Sequence, residues 1–537
     1  MAKKIFYDDE ARTRILAGAK ALYDAVKVTY GPKGGNVVLD RLYGGPIVTH
    51  DGVTVAEAIE LPSDTDELLG QEVGAKLIKQ AASKLNKEAG DGTTTVTVLT
   101  YSILVEANRL IAAGHNPQEL KKSLEKAGAE VVEMIGELAE MVEGNNKRVA
   151  EVASISAGDE VIGKLIADVV SKIGKDGEVT VEPSQGLNVE SEITEGYTFG
   201  RGWASQYFVN IPTDQQAVHE NAAVIVTTTE VVMLSQIVPI IEKIVAAGKH
   251  EVVLIADKVD HEALNMLIVN KLKGALKVTA INAPSYGDHR VQLLEDICAV
   301  TGAQLIGKGV SIEDAELEHI GYARKMIVSK DSTTIVRAND KELPKEDFVT
   351  YVQNLQEQHT NQEDEYEKAK LQKRIAALDG KVAVIKVGGA TETEINEKKF
   401  RVDDAVAATK AALAEGIVAG GGVTLVNVAK QLETDGEAGR SLLKKALMQP
   451  FVQIMENAGQ NSQALLAEVE KANKVGFGIN VSAPEKGLVD MKAAGVIDPA
   501  RVTKQVVQNA VSIAATAVTM GALVVEIPEP APTGAMD

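Results

Sequence analysis

The spacing of apolar residues changes twice along this chain, and the double change limits the architecture more than any single motif does. Up to about residue 140 they recur at helix spacing: Ile15, Leu16, Ala19, Leu22 and Val26 share one stripe, and a helix beginning near Thr94 carries Val96, Leu99, Ile103, Leu104 and Ala107. A short strand at Val37–Leu39 and a helix running to Ala89 are expected between them. From about Gly177 the period shortens toward two, in 178–182 and 188–193, while 223–227, 252–256 and 277–281 read as buried strands alternating with helices. That alternation predicts an α/β layer. A charged helical region from about Phe348 to Leu378, apolar along Tyr351, Leu355, Leu371, Ile375 and Leu378, and a strand at 382–387 lead back to helices. Helical ends around a mixed middle imply a domain that the chain leaves and re-enters. The crossings near 190–200 and 376–390 contain Gly196, Gly200 and Gly380 as candidate hinges. No repeat of solenoid period is visible, and the one biased tract is 528–532, Pro-Glu-Pro-Ala-Pro.

A chain of 537 residues has room for about three domains. Apolar residues at 45% and charged residues at 25% exclude a disordered tail or a rod. The excess of 76 acidic over 56 basic residues gives a net charge of −20, so neither nucleic acid nor membrane is an expected partner. The lone Cys298 excludes an internal disulfide or a cysteine zinc site, and the start of the chain lacks an apolar signal region, so a cytoplasmic location is expected. Residues 506–525 carry no charge over a bilayer-spanning length. Gln508, Asn509, Ser512, Thr516 and Thr519 nevertheless interrupt them, which predicts a buried core helix.

The sharpest chemical signal is Gly90-Asp91-Gly92-Thr93-Thr94-Thr95 at the start of an apolar helix. Two glycines let backbone approach a ligand, hydroxyls and free helix N–H groups can receive phosphate oxygens, and Asp91 can hold magnesium against them. An ordinary helix cap is the alternative, although three β-branched residues are a poor helix start. The Gly-Lys-Ser/Thr of a P-loop is missing. The segments 29–34, Asp51-Gly52 and 419–422 are further candidates, each alone more often a turn. Asp403-Asp404 heads an alanine-rich run, where a carboxylate is usually a partner of the helix dipole. The eight histidines show no metal-ligand pairing and no Gly-x-Ser-x-Gly elbow occurs, so zinc and serine hydrolase chemistry lack support.

Five ordered segments closely resemble a group I chaperonin, the GroEL family: 27–39 (KVTYGPKGGNVVL), 51–56 (DGVTVA), 89–99 (AGDGTTTVTVL), 384–392 (VIKVGGATE) and 415–422 (EGIVAGGG). The resemblance covers nearly the whole chain. It implies a multidomain α and α/β fold: an equatorial ATPase domain at 1–137 and 415–537, an intermediate hinge domain at 138–194 and 383–414, and an apical domain at 195–382 that binds clients and a lid. It further implies ATP, Mg2+ and K+ as cofactors. By position Asp91 would hold magnesium, while Thr29, Tyr30, Gly31, Pro32, Gly92, Thr93, Thr94 and Thr95 would surround the phosphates. Gly420 and Gly421 would line the pocket, and Asn480, Val481, Ser482 and Asp498 would face base and ribose. Asp51 and Asp404 would orient the attacking water, Asp404 arriving by hinge closure, as suits phosphoryl transfer. Trp203, Tyr207, Phe208, Val238, Ile241, Leu264, Ile268 and Val269 match the rim that grips unfolded proteins and a GroES-type lid. The surplus of apolar faces over 264–269 favours that reading over core packing. Two stacked heptameric rings are the implied assembly.

Several positions depart from the family pattern. His50 replaces a lysine, exchanging a fixed charge for a pH-dependent one. Lys381 replaces a second hinge glycine, and Val452 and Asn461 replace an arginine and a glutamate that pair between rings, which predicts weaker ring pairing. The tail lacks Gly-Gly-Met repeats. Two other classes compete with a folding chamber: a stand-alone ATP phosphotransferase, for which no acceptor clamp is visible, and a scaffold without ATPase activity, against which Asp51, Asp91 and Asp404 stand.

Overall fold

The structure is a computed structural model that describes residues 2–40, 46–63, 65–142, 144–174, 177–184, 186–211, 215–274, 276–338, 343, 345–362, 364–378, 380–472 and 474–527. The proline-rich 528–532 lies outside the described residues. The chain forms two compact units, one of Met1–Lys175, Val181–Glu190 and Lys386–Asp537, the other of Asp176–Thr180 and Ser191–Ile385. The expected equatorial and intermediate segments therefore fall mostly in one unit.

The first unit is a helical body. Helices Asp8–Val26, Gln71–Ala89, Thr93–Ala112, Pro117–Glu137 and Ala500–Val518 bury a common core containing Leu22, Ile78, Leu85, Leu99, Ile103, Leu124 and Ile135, all fully inaccessible. Each contributes its apolar stripe. The start of the fourth helix is set locally: Asn116 Oδ1 accepts from the backbone N–H groups of Gln118 and Glu119 at 2.8 and 3.3 Å, and Pro117 needs no N–H partner. Such a cap contributes about 1 kcal/mol.

The uncharged run 506–525 is only partly the helix expected of it. The helix ends at Val518, and after a short turn Ala522–Glu526 forms a strand antiparallel to Lys3–Tyr7, with Lys3 opposite Glu526 and Tyr7 opposite Ala522. Alternation sorts its side chains: Phe6, Leu523 and Val525 join Ala11, Ile15 and Leu69 in a small core, while Ile5, Tyr7 and Val524 face outward. Among the described residues no helix is long and apolar enough to cross a membrane.

The second unit is built on an eight-stranded sheet in the order Glu178–Pro183, Lys381–Val387, Val189–Phe199, Thr333–Arg337, Gly321–Val328, Ala217–Thr227, Glu251–Ala256, Lys277–Asn282. The unit boundary falls inside the first three. The last three strands run parallel, linked through helices Val238–Ala246 and His261–Leu272, which is the α/β layer that the alternation predicts. Their nearly continuous apolar runs fit strands covered on both faces. The charged region consists of two helices, Lys345–Asn361 and Glu365–Leu378, which bury Phe348, Val352, Leu355, Leu371, Ile375 and Leu378. Tyr351 does more than fill its stripe. Its hydroxyl donates to Asp296 Oδ1 at 2.8 Å, and Arg374 donates to both oxygens of that fully buried carboxylate at 2.8 and 2.9 Å. Two-point pairing is what makes a buried charge tolerable there.

Two of the candidate hinge glycines have a packing role instead. A side chain at Gly196 would lie 2.2 Å from Val382 Cγ2 and 2.9 Å from the Ile335 carbonyl oxygen, and one at Gly380 would lie 2.7 Å from the Ala377 carbonyl oxygen. Neither position has room for a side chain. Gly200 has open space around it.

Candidate functional site

All the nucleotide-site residues read from the sequence lie in the helical unit. Helix Gln71–Ala89 ends at Gly90 with φ +68°, and the next begins after Gly92 with φ +84°, so the Asp91 loop needs left-handed backbone at both glycines. No side chain caps helix Thr93–Ala112. The N–H groups of Thr93, Thr94 and Thr95 therefore lack the side-chain acceptor that a capped helix start would give them. Asp51-Gly52 lies directly against this turn, since a side chain at Gly52 would meet Thr94 Oγ1 at 2.3 Å and Thr93 Oγ1 at 3.4 Å. Asp51 caps helix Gly52–Ala58, accepting from the Val53 and Thr54 N–H groups at 3.1 and 2.8 Å and from the Thr54 hydroxyl at 2.6 Å.

Asp404 is not at a helix start. Its helix runs Glu392–Glu415 from a Thr391 cap, so Asp403 and Asp404 lie well inside it and the dipole role anticipated for them disappears. The same helix meets the phosphate turn, because a side chain at Gly90 would come within 2.2 Å of Ala407 Cβ. Asp404, one turn before Ala407, thus lies beside the loop in this structure. The third arm is strand Ile497–Pro499, paired with Ile417–Ala419 so that Asp498 opposes Val418. Gly420 packs close to Asp498, and Gly421 and Gly422 turn the chain with positive φ into helix Val423–Gln431, a second helix start without a side-chain cap. Asn480 shapes a turn by accepting from Ser482 N–H at 2.9 Å, and Val481 is buried with Ile479 and Met491.

The electrostatics set these acids apart. Burial pushes Asp404 well above the usual carboxylate range, reinforced by the charges of Asp91, Asp51 and Asp403. Asp91 is raised by burial and by Asp51, against the opposing hydrogen bonds from Gly92 N–H and from Ser156 Oγ at 3.3 Å. Asp498 is raised to about 7, again by burial and then by Asp91. No lysine or arginine figures among the groups acting on these three. Carboxylates raised by burial and by one another's charge mark a candidate site for a cation or a group that carries one. Among the described residues no three acidic, histidine or cysteine side chains form a ready metal cage. A metal here would take one or two carboxylates and complete its shell with water and phosphate oxygens, the habit of Mg2+.

The remaining site residues divide. Thr95 Oγ1 donates to the Tyr30 hydroxyl at 3.0 Å, which ties the 27–35 loop to the phosphate helix. Gly31 has φ +81° against Ile454, Pro32 is exposed, and Thr29 is buried with its hydroxyl donated to the Val26 carbonyl at 2.9 Å, so that proton is committed to closing a helix. His50, read from the sequence as a pH-dependent charge, is part-buried. Burial, then Arg401, lower it below the usual histidine value, opposed by a backbone hydrogen bond to Gly35. Ser156 as a donor to Asp91 escaped sequence reasoning, being distant in the chain and inside an unremarkable helix, Asn146–Ala157.

Val452 is 4% exposed and packs with Phe451, Ile454 and Met455, whereas Asn461 caps the following helix through Ala464 N–H at 3.2 Å. Val452 is a core residue, so the contrast drawn with a surface charge pair does not apply to it. In the second unit Phe208 is fully buried and is likewise core. Tyr207 and Val269 are exposed, while Trp203, Val238, Ile241, Leu264 and Ile268 are part-buried. The exposed stripe of helix His261–Leu272 is Met266, Val269 and Leu272, of which Met266 and Leu272 were missed. Their three-residue spacing was readable. Lys271 Nζ joins this helix to the Tyr207 and Val209 carbonyl oxygens at 2.7 and 2.9 Å.

The sequence matches the model of the TCP-1/cpn60 chaperonin family over residues 22–528. Among solved structures the chain is similar to the chaperonin gp146 from the bacteriophage EL 2 (Pseudomonas aeruginosa), crystallised in the presence of ATP-BeFx. The identity is 19%, the TM-score is 0.64, and the match covers 98% of this chain and 99% of that one. At that identity the likeness carries the fold alone.

Proposed function

This chain belongs to the TCP-1/cpn60 chaperonin family, and from that premise we propose that it is an ATP-dependent chaperone that captures non-native proteins and encloses them in a ring-shaped chamber. The observation that carries the ATP reading is the convergence of Asp51, Asp91, Asp404 and Asp498 on two uncapped helix starts. Backbone donors for phosphate lie beside carboxylates that lack cationic partners. A nucleotide brings the phosphate and its magnesium together.

Asp91, steadied by Ser156, is the residue that would hold Mg2+, which when bound neutralises charge on the phosphate oxygens. The N–H groups of Thr93–Thr95 and of the Gly420–Gly422 turn receive phosphate oxygens, and the Asn480–Ser482 turn and Asp498 take base and ribose. Asp51 is held by three hydrogen bonds and keeps a fixed orientation. Asp404, whose elevated proton affinity suits a base, orients and deprotonates the attacking water. K+ would bind beside the phosphates.

Segments 1–137 and 415–537 serve as the ATPase domain, 138–194 and 383–414 as the coupling domain, and 195–382 as the domain that presents Tyr207, Val269 and their neighbours to unfolded proteins and to a GroES-type lid. Two stacked heptamers in the cytoplasm are the proposed working form. Negative-stain imaging and native mass measurement with and without ATP test this. Rings that protect an unfolded client from aggregation are expected, whereas a monomer that transfers phosphate to a small acceptor would overturn the reading in favour of a phosphotransferase.

A further inference from the structure

The 27–35 loop carries an aromatic hydroxyl that backbone phosphate binding does not require. Tyr30 is part-buried: its ring packs on the cluster of Val423, Phe451, Ile454 and Met491, and its hydroxyl receives the Thr95 Oγ1 hydrogen bond at 3.0 Å. With its oxygen already accepting, the hydroxyl has its own proton left to donate. Among the described residues no acceptor for that proton lies within hydrogen-bond reach. The charged groups that act on the phenol are Asp498 and then Asp91, and burial keeps it protonated far above neutrality. Asp51 and Asp404, the pair assigned to the attacking water, do not act on it. The phenol therefore lies beside the first turn of helix Thr93–Ala112, where Thr95 holds it.

Its backbone is held as firmly as its side chain. Asn457 Nδ2 donates to the carbonyl oxygens of Tyr30 and Lys27 at 2.9 and 2.8 Å. Asn457 Oδ1 accepts from Gln453 Nε2 at 2.9 Å, and Gln453 Oε1 accepts from the Tyr23 hydroxyl at 2.9 Å. Gln453 is buried, so this relay is shielded from water. A donor fixed at both ends and lacking an acceptor is preorganised for a ligand oxygen.

We propose that the Tyr30 hydroxyl donates to the part of the nucleotide common to ATP and ADP, an α- or β-phosphate oxygen or the ribose, making Tyr30 a positioning residue through its side chain as well as its loop. The inference rests on the nucleotide reading above and adds to it a specific bond. It predicts a uniform contribution to nucleotide binding and none to the chemical step.

Tyr30→Phe removes the one oxygen and keeps the ring in its cluster. Measured by calorimetry with Mg·ATP and Mg·ADP separately, the dissociation constant for each should rise about tenfold, the usual cost of losing a hydrogen bond to a charged group. KM for ATP should rise by a similar factor while kcat at saturation stays within about twofold. Unchanged affinity for both nucleotides would overturn the proposal. So would a loss confined to ATP and accompanied by a fall in kcat, which would move the hydroxyl to the γ-phosphate. A melting temperature equal to the parent's shows that the variant folds; should it melt early, Tyr23→Phe, which touches the same relay without the phenol donor, separates loop disorder from a lost bond by reproducing the affinity change only if loop order is the cause. If the parent binds neither nucleotide, the ATP reading itself falls, a result distinct from a parent that binds and a variant that binds equally.

Discussion

Replacing Gly90 with alanine tests whether the seating of the Asp404 helix controls hydrolysis. The added Cβ would lie 2.2 Å from Ala407 Cβ, against the 3.4–4 Å of an ordinary contact, so the helix must retreat by more than an ångström. Neither atom can swing aside, because both are fixed to backbone. The left-handed φ of +68° adds about 1–2 kcal/mol of strain for any residue with a side chain. Asp404 is one turn from Ala407 on the same face and retreats with it. A misplacement of about 1 Å costs on the order of 10² in rate when positioning supplies the catalysis. Steady-state turnover should therefore fall about a hundredfold in Gly90→Ala, while the dissociation constant for Mg·ADP changes by less than about fivefold. Opening the other side should repair it: in Gly90→Ala/Ala407→Gly the clash is gone and turnover should return to within about tenfold of the parent, at a helix-stability cost of about 1 kcal/mol. Parental turnover in the single variant, or no recovery in the double one, would refute the claim that this contact positions Asp404.

Asp404→Ala should keep nucleotide binding and slow hydrolysis by about 10²–10⁴, the range for a lost acid or base, whereas Asp91→Ala should weaken Mg·ATP binding itself; stopped-flow binding with turnover separates the two, and near-normal turnover in Asp404→Ala would remove it from the mechanism. Asp498, at about 7 in the folded chain against about 3.9 unfolded, binds its proton more tightly when folded, so stability without ligand should be greatest below pH 4 for this group and be lost as pH rises through 7. Thermal melts from pH 5 to 8 should show that decline, at most about 1.4 kcal/mol per unit and less for a part-exposed group, with Mg·ADP flattening it; a flat profile without ligand would contradict the burial argument. Tyr207→Glu or Leu272→Ser should leave ATP turnover within about twofold while client capture fails in a light-scattering assay, because a charge or hydroxyl on an exposed apolar stripe costs binding but no core packing; loss of folding would show these residues to be core.

What could be read in advance follows from what kind of signal each residue leaves. The helical body and the α/β layer were legible because apolar period survives in any tertiary context, as in Leu99 and Ile103 or in 252–256. The turn at 90–92 was legible because glycine beside threonines leaves a local trace, and both glycines do take positive φ. Asp404 was read at a helix start because the alanine run begins beside it, yet Glu392–Arg401 is charged and helix-compatible, and only the Thr391 cap fixes the true start. Phe208 and Val452 failed for a different reason. Exposure depends on which partner covers a residue, and neither neighbouring residue nor spacing carries that information. The Ser156–Asp91 and Tyr30–Thr95 bonds join residues 65 positions apart, beyond the reach of any local pattern.

The strand pair Lys3–Tyr7 and Ala522–Glu526 also determines when this protein can finish folding. The helical unit draws on residues from both sides of the central one, and its proposed nucleotide site needs Gly420 and Asp498 as well as Asp91. During synthesis its first helices can pack on one another but lack helix Ala500–Val518, which completes their core, and they wait for it while the ribosome makes the entire 191–385 segment. That later segment holds nearly all of its own core and can close as soon as it emerges. The half-made helical body is thus the aggregation-prone species, exposed for tens of seconds at about 5–20 residues per second. A member of a chaperonin family is itself vulnerable for most of its own translation.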